Sequence, residues 1–302
     1  MSNVQLSIIV CTYNREKYLL RTLQHLAKQN SDHSKWEVII VNNNSSDNTN
    51  QIVKDFIDNH SKLNFKSFLE KKQGLTHARN RGIRESLGKI IAFLDDDAFV
   101  MKDYSDKVIN FFNNHDDAIA LGGKIIPIYE GKKPEWMSKF LFPLVAALDM
   151  GDKIKLFKGN KFPIGANMAF RAETFEKYGL FDPKLGRKAS LLEGGEEKDI
   201  FHRLKRNKEK FYYDPNVVVK HIIPEKRIED NYIKKLAVGV GTSEKKRLSG
   251  KPLSSKINRT LLELIKIAAT VILFFYFILL FKPSKSMMLV KFRIWVLKGF
   301  FL

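Results

Sequence analysis

The feature that most constrains the fold is a regular alternation of strand-like and helix-like segments over residues 4–128. Short apolar runs predict buried strands, and segments with apolar residues at helical spacing follow them. The predicted strands are 6–10, 38–41, 63–69, 90–94 and 118–128, and the predicted helices are 15–28, 47–56, 75–87 and 103–112. This βαβ order predicts an α/β fold with a mostly parallel sheet and helices on both of its faces.

A loop from Pro127 to Pro143 interrupts the alternation. Order resumes in a strand at 167–170, a helix at 172–178, a helix from Gly194-Gly195 to about residue 206, and a strand at 211–219. We therefore predict a single domain over 1–225, made of two halves that meet at residue 128.

The net charge of +19 is concentrated in the last quarter of the chain. Residues 226–302 contain 16 Lys/Arg and 4 Asp/Glu, a net charge of +12. This balance predicts a polyanionic partner, either nucleic acid or an anionic membrane face. The uncharged apolar block 267–281 does not suit a nucleic-acid-binding arm, so it favours the membrane. We predict a basic linker over 226–260 and a membrane-associated helical tail over 261–302.

The apolar block would form a helix of about 22 Å, shorter than the hydrocarbon core of about 30 Å. We expect a tilted or re-entrant helix followed by a surface helix over 287–302, with a single span as the alternative. The single cysteine, Cys11, fits a reducing compartment, and the start of the chain lacks a signal-peptide pattern. The expected location is the cytoplasmic face of the cell membrane.

Three adjacent carboxylates, Asp95, Asp96 and Asp97, follow the predicted strand 90–94. Ligands of α/β sheets gather at the carboxyl ends of strands. Neighbouring like charges repel, so three of them in a folded site require a cation or a well-hydrated loop. Hard oxygen ligands suit Mg²⁺ or Mn²⁺, which bridge readily to a diphosphate. The alternative is an acidic turn that caps the next helix.

Polar residues also follow the first two predicted strands. The first runs into CTYNR at residues 11–15, without the G-x-G-x-x-G turn of dinucleotide-binding folds, and the chain has no G-x-x-x-x-G-K-[ST] phosphate loop. The second ends in NNNSSD at residues 42–47. Asn43 could contact the edge of a nucleobase or simply form a turn, whereas Asp47 or Ser46 is expected to cap the next helix.

Four motifs occur in order along the chain: SIIVCTYN from Ser7, VNNNSSD from Val41, FLDDD from Phe93 and GEEKD from Gly195. Together they resemble the family 2 glycosyltransferases, over residues 5–225. The resemblance implies the nucleotide-diphospho-sugar-binding glycosyltransferase A fold, with a nucleotide-binding half over 1–128 and an acceptor-side half over 129–225.

The resemblance implies a base pocket formed by Asn43 with Thr12 and Tyr13. The chain has Asn at both 42 and 43, where an Asp is usual in the family, and this leaves the identity of the nucleotide open. Arg79, in the segment THARNRG, would reach the nucleotide side. A solvated helix charge is the alternative for Arg79.

By the same resemblance, Asp96 would face the ribose, and Asp97 together with Asp95 would bind the divalent cation, Mn²⁺ or Mg²⁺. His221 follows the last predicted strand and would lie near the diphosphate as a further metal ligand. A lone histidine after a strand is more often structural, so both roles stay open.

Glu197 matches the position of the family's catalytic base, and an acidic first turn of the helix is the alternative. Glu197 begins an apolar helical face, which would point it inward. The helix N-terminus favours its charged form, whereas burial and Glu196 raise its pKa. On the acceptor side the resemblance implies contacts from Trp136, Asn167 and Glu196. Trp136 could equally be a buried anchor of its loop.

The implied function is an inverting, metal-dependent transfer of a sugar from a nucleotide-diphospho-sugar to a hydroxyl of a glycan acceptor. The tail predicts that this acceptor is lipid-linked and serves the synthesis of a cell-surface polysaccharide. The chain lacks the Q-x-x-R-W motif of processive synthases, so we expect one sugar per encounter. The alternative is a membrane-associated sugar-nucleotide-binding protein of the same fold without catalysis, and hydrolysis of the donor would distinguish the two.

Overall fold

The computed structural model describes residues 3–186, 195–250 and 252–301. Gly194, predicted to open a helix, lies outside the described residues. The chain forms two compact units. The sheet unit contains residues 3–128, 146–186 and 195–222, and the helical unit contains residues 129–145 and the described residues from 223 onward. The boundaries predicted at residues 128, 225 and 260 separate parts of the chain with different expected functions, and they stay predictions.

The described part of the chain contains a sheet of nine strands. They are β1 Leu6–Thr12, β2 Trp36–Asn42, β3 Phe65–Leu69, β4 Ile90–Asp95, β5 Ala98–Val100, β6 Ala118–Tyr129, β7 Lys155–Leu156, β8 Asn167–Arg171 and β9 Lys210–Ile223. Six helices accompany them: α1 Leu19–Ala27, α2 Thr49–Asn59, α3 Leu75–Glu85, α4 Tyr104–Asn114, α5 Glu173–Tyr178 and α6 Glu196–Arg206. All elements predicted for 4–128 are present, so the predicted α/β fold is confirmed. The short strands β5 and β7 were not predicted.

The sheet is mixed, which corrects the expectation of a mostly parallel one. Its main order is β3-β2-β1-β4-β8-β6-β9-β5, and β7 pairs with β9. The first four strands in this order are parallel to one another, whereas β8 runs antiparallel to both β4 and β6. Parallel neighbours need a crossover connection, usually a helix. The chain between β6 and β8 is largely irregular, with a seven-residue 3₁₀ segment and the two-residue β7.

Two hydrophobic clusters lie on opposite faces of this sheet, as the alternation of side chains along β1 shows. Ile8 belongs to the cluster formed with α1, α2 and α4, and Ile9 to the cluster formed with α3, α5 and α6. Both side chains are fully buried. A strand covered on both sides is a continuous apolar run, which is why it is readable in the sequence.

The helical unit contains α7 Asp230–Leu248, α8 Leu253–Leu279 and α9 Pro283–Phe301. The range 226–260, predicted as a linker, is therefore largely helical. Gly241 and Gly299 allow the backbones of α7 and α9 to approach closely, because a Cβ at either position would collide with the facing backbone. Helix α9 runs back along α8, since Ser286 Oγ donates to the Phe274 carbonyl at 3.1 Å.

Helix α8 is long and apolar enough to cross a membrane by length and composition. Its 27 residues extend about 40 Å. The helix begins well before the predicted block because Glu263, which is buried, accepts from Arg259 at 2.6 Å, from Lys266 at 2.8 Å and from Arg293 of α9 at 3.1 Å. These ion pairs compensate the buried charge of Glu263, so helix α8 continues without a break at this residue.

Candidate active site

A cluster of two carboxylates and one imidazole lies at the carboxyl end of β4. The chain turns at Asp96 and Asp97 into β5, which pairs with β9 so that Ala98 lies opposite His221. This pairing brings His221 Nε2 to 2.9 Å from Asp97 Oδ1 and 3.8 Å from Asp95 Oδ2. The pairing of β5 with β9 therefore brings Asp97 and His221 together, although they are distant in sequence.

The geometry of this cluster fits a divalent cation. One ligand atom from each of Asp95, Asp97 and His221 lies within 4.8 Å of the other two. Asp97 and His221 are buried, whereas Asp95 is partly exposed. Carboxylate oxygens and imidazole nitrogen together suit Mn²⁺. The three residues predicted as metal ligands are thus brought together.

Arg15 also contacts this carboxylate cluster, a role that was not predicted. Its Nε lies 3.3 Å from Asp96 Oδ1 and its Nη2 lies 3.2 Å from Asp97 Oδ2. Burial raises the pKa of Asp96 to about 7, the Arg15 charge opposes this, and the Asp97 charge adds to it. Thr12, predicted in the base pocket, is buried beside Asp96, and Tyr13 is partly exposed. The residue type and the position of Arg15 in the CTYNR motif were the available signals for its role.

A second group of charges lies at the N-terminus of α6. Arg79 of α3 donates from Nη1 to Glu196 Oε1 at 3.1 Å and from Nη2 to Glu197 Oε1 at 2.9 Å. The guanidinium also stacks near the rings of Phe93 and Phe181. Arg79 is 2% exposed, so it is not a solvated helix charge. Its described contacts hold the two glutamates, and its predicted contact with the nucleotide stays a prediction.

The two glutamates differ in accessibility. The Glu196 side chain is 4% exposed, and its second oxygen accepts from the Gly195 backbone. The Glu197 side chain is 27% exposed. Burial raises the pKa of Glu197, the Arg79 charge opposes this, and Glu196 and Asp95 add to it. Glu197 is therefore the more accessible of the two carboxylates. Glu196 accepts from Arg79, and its predicted contact with the acceptor stays a prediction.

Gly165 lies directly against the pair formed by Arg79 and Glu197. A Cβ at this position would lie 3.0 Å from Glu197 Cδ and closer still to Glu197 Oε1 and Arg79 Nη2. Only glycine leaves room for this arrangement. This close approach at Gly165 was not predicted from the sequence.

Asn43 is engaged in internal hydrogen bonds, as the alternative role in a turn predicts, and its contact with a nucleobase stays a prediction. Its Nδ2 donates to the carbonyls of Glu70 and Lys72 at 3.0 and 2.8 Å. Its Oδ1 accepts from the Gly74 backbone at 2.8 Å. A buried amide with these partners orders the loop before α3 and has little capacity left for a ligand. Asp47 accepts from the Thr49 backbone at the start of α2, as a helix-capping role predicts.

Asn167 likewise has internal partners, and its predicted contact with the acceptor stays a prediction. It is 1% exposed, its Nδ2 donates to the carbonyls of Lys124 and Val217 at 3.1 and 2.9 Å, and its Oδ1 accepts from Tyr104. Asn167 lies on β8, Lys124 on β6 and Val217 on β9, so the two bonds from Nδ2 connect β8 to both of the other strands. Trp136 is half-buried in the helical unit, and its acceptor contact stays a prediction.

Comparison with known proteins assigns this site to a family. The family model described as Glycosyl transferase family 2 matches residues 7–179, more than half of the chain. The chain belongs to this family. The predicted family resemblance is thereby confirmed, and the protein is a glycosyltransferase.

Two curated relatives show the range of similarity within glycosyl transferase family 2. The glucosyl-dolichyl phosphate glucuronosyltransferase of Haloferax volcanii is 24% identical over 235 residues, which cover 76% of this chain and 73% of the relative. The poly(ribitol-phosphate) beta-N-acetylglucosaminyltransferase TarS of Staphylococcus aureus is 34% identical over 120 residues, which cover 39% of this chain and 20% of TarS. The chain thus spans most of the first relative and a fifth of the second.

Solved structures support the fold. The mannosyltransferase PcManGT from Pyrobaculum calidifontis, in complex with GDP-Man and Mn²⁺, superposes with a TM-score of 0.67 at 17% identity, over 98% of this chain and 85% of that one. Residues 1–349 of S. aureus TarS, in complex with UDP-GlcNAc, superpose with a TM-score of 0.55 at 16% identity, over 97% of this chain and 90% of that one. At such identities the likeness concerns the fold alone.

Proposed function

We propose that this glycosyltransferase moves a sugar from a nucleotide-diphospho-sugar to a hydroxyl of a lipid-linked glycan acceptor, with inversion and with a divalent cation. The observation that supports this most directly is the position of Arg79. Its guanidinium donates to Glu197 at 2.9 Å and lies 5.8 Å from the ring of Phe93, which shares a face of β4 with Asp95. This placement supports assigning the cation-type cluster and the accessible glutamate to one site within the sheet unit.

Glu197 is the proposed general base. The acceptor hydroxyl attacks the anomeric carbon and gives its proton to the Glu197 carboxylate, while the bond from that carbon to the diphosphate oxygen breaks. The Arg79 charge opposes the burial that raises the pKa of Glu197, and the 2.9 Å hydrogen bond fixes the orientation of the carboxylate. One base and one cation site suffice for a single displacement, and a single displacement inverts the anomeric centre.

Asp95, Asp97 and His221 are the residues that would hold the cation, Mn²⁺ or Mg²⁺. When bound, the cation neutralises charge on the leaving diphosphate. The Mn²⁺ named for PcManGT supports a cation of this kind, and a ligand set of two carboxylates and one imidazole accepts either metal. Thr12, Tyr13 and Asp96 are proposed to contact the nucleoside, and the base itself stays open because Asn43 is engaged elsewhere.

A membrane location on the cytoplasmic side is part of the proposal. Helix α8 passes the length and composition test for a span, and the last quarter of the chain carries a net charge of +12. Anionic lipids of the cytoplasmic leaflet attract such basic segments. The name of the Haloferax relative, which includes a dolichyl phosphate, supports a lipid-linked acceptor, and the teichoic acid named for a Bacillus subtilis relative supports a role in surface polysaccharide synthesis.

The test is a screen of sugar nucleotides against the purified full-length protein with Mn²⁺, read as release of nucleoside diphosphate. We expect release from one donor class, with loss of the activity on chelation and its return when Mn²⁺ is restored. Binding of a donor without release under any condition would support the non-catalytic alternative instead.

A further inference from the structure

The helical unit contains a cavity of about 470 Å³ between the loop 129–145 and helices α8 and α9. This volume is in the range of about 300–1,000 Å³ that is typical of small-molecule sites. Its walls are mainly apolar, from Met137 and Phe140 of the loop and from Leu273 and Phe277 of α8. The ring of Phe140 lies edge-on to Phe277, with centroids 6.2 Å apart.

Three lysines, Lys133, Lys139 and Lys285, complete the lining. The lining contains no Asp or Glu, and within residues 3–186, 195–250 and 252–301 no carboxylate forms a salt bridge with any of the three lysines. Lys139 and Lys285 instead lie over the rings of Phe140 and Phe277, at 5.4 and 5.9 Å. An apolar cavity with three uncompensated cations attracts a ligand that is apolar along its length and anionic at its end.

We infer that this cavity binds a lipid phosphate, meaning a single apolar chain that ends in a phosphate or diphosphate group. Charge-assisted hydrogen bonds from the lysines hold the phosphate end, and the apolar walls hold the first part of the chain. The inference deepens the proposed function, because it assigns the lipid end of the acceptor to this site, and that acceptor role rests on the proposed function. The binding of a lipid phosphate to this cavity does not depend on the proposed function.

The probe is farnesyl phosphate, titrated into the full-length protein in non-ionic detergent. We expect saturable binding that the double variant Lys139→Gln/Lys285→Gln weakens by roughly tenfold or more, since each lost contact is a charge-assisted hydrogen bond. The matched control, Lys234→Gln/Lys256→Gln, removes two exposed lysines outside the cavity and should bind as the wild type does. Leu273→Trp should also weaken binding by filling the cavity, whereas Leu279→Trp, at a position that is 77% exposed, should not.

Competition identifies the ligand. We expect farnesol and inorganic phosphate to compete poorly, because each has one half of the required chemistry. Equal affinity of the two double variants would overturn the site. Equal competition by inorganic phosphate would reduce it to a simple anion site, and equal competition by phosphatidic acid would assign it to bilayer phospholipid, so either result contradicts the inference.

The failure of this inference is distinguishable from failure of the proposed function. Asp97→Asn should bind farnesyl phosphate normally, and Lys139→Gln/Lys285→Gln should keep Mn²⁺-dependent hydrolysis of the donor. Absent hydrolysis in the wild type, with intact lipid-phosphate binding, refutes the proposed function alone. Absent lipid-phosphate binding, with intact hydrolysis, refutes this inference alone.

Discussion

Replacing Gly165 with alanine tests the contact between Arg79 and the proposed base. The added Cβ would lie 3.0 Å from Glu197 Cδ and closer to the two atoms that form the hydrogen bond. Ordinary contact requires the carboxylate or the guanidinium to move by roughly 1 Å, and a displacement of that size at a catalytic group costs about 10²-fold in rate. We therefore expect the rate of transfer to fall by about two orders of magnitude with donor binding largely kept.

The pH profile of this variant gives a sharper test than its rate. The Arg79 charge lowers the pKa of Glu197 against the effect of burial, so separating the two raises that pKa further. The base works when it is deprotonated, so the acid limb of the profile of kcat/KM should move to higher pH.

Gly82→Ala is the control, because the atoms nearest to its Cβ belong to the buried side chain of Ile9 and not to Arg79 or Glu197. It should lower the melting temperature and leave the acid limb in place. An acid limb that is unchanged in Gly165→Ala, or that moves equally in Gly82→Ala, would refute the reasoning.

Three further predictions concern other parts of the molecule. Asp97→Asn should abolish Mn²⁺-dependent donor binding in a calorimetric titration, because it removes a charge from the cation cluster, and undiminished Mn²⁺ dependence would contradict the assignment. Asn43→Asp should lower the free energy of unfolding in urea by about 1–3 kcal/mol, since a carboxylate would face two carbonyl oxygens. The exposed Asn44→Asp should have little effect, and equal stability of the two variants would contradict the internal role of Asn43. The membrane-bound protein should resist extraction by high salt and be released by detergent; release by salt alone would show that α8 does not enter the bilayer.

Much of the sheet was predictable because its strands are covered on both faces and appear as apolar runs. The carboxylates after β4 were recognisable for the same reason, since the end of an apolar run places them at an edge of the sheet. His221 could be assigned to this carboxylate cluster only by resemblance. The strand that brings it there, β5, has three residues, which are too few to show an apolar–polar alternation. The antiparallel half of the sheet depends on a long loop whose path no local pattern fixes.

The contacts in the site that the sequence did not predict concern polar side chains whose partners are distant in sequence. Asn43 and Asn167 have the residue types of ligand contacts, but backbone carbonyls from other segments satisfy their amides. Arginine is a residue type typical of the surface, yet Arg79 and Arg15 each pair with two carboxylates. The sequence shows that such groups exist, and only the fold shows which of them meet.

The most direct test of the central claim compares Glu197→Gln with Glu196→Gln. Both substitutions keep side-chain shape and remove one charge beside Arg79, but only Glu197 is accessible to an acceptor. The measurement is donor binding together with the rate of sugar transfer to a membrane lipid extract. We predict that Glu197→Gln binds the donor as the wild type does and loses about 10²–10⁴-fold in transfer, while Glu196→Gln keeps more activity. Transfer at the wild-type rate by Glu197→Gln would contradict the account.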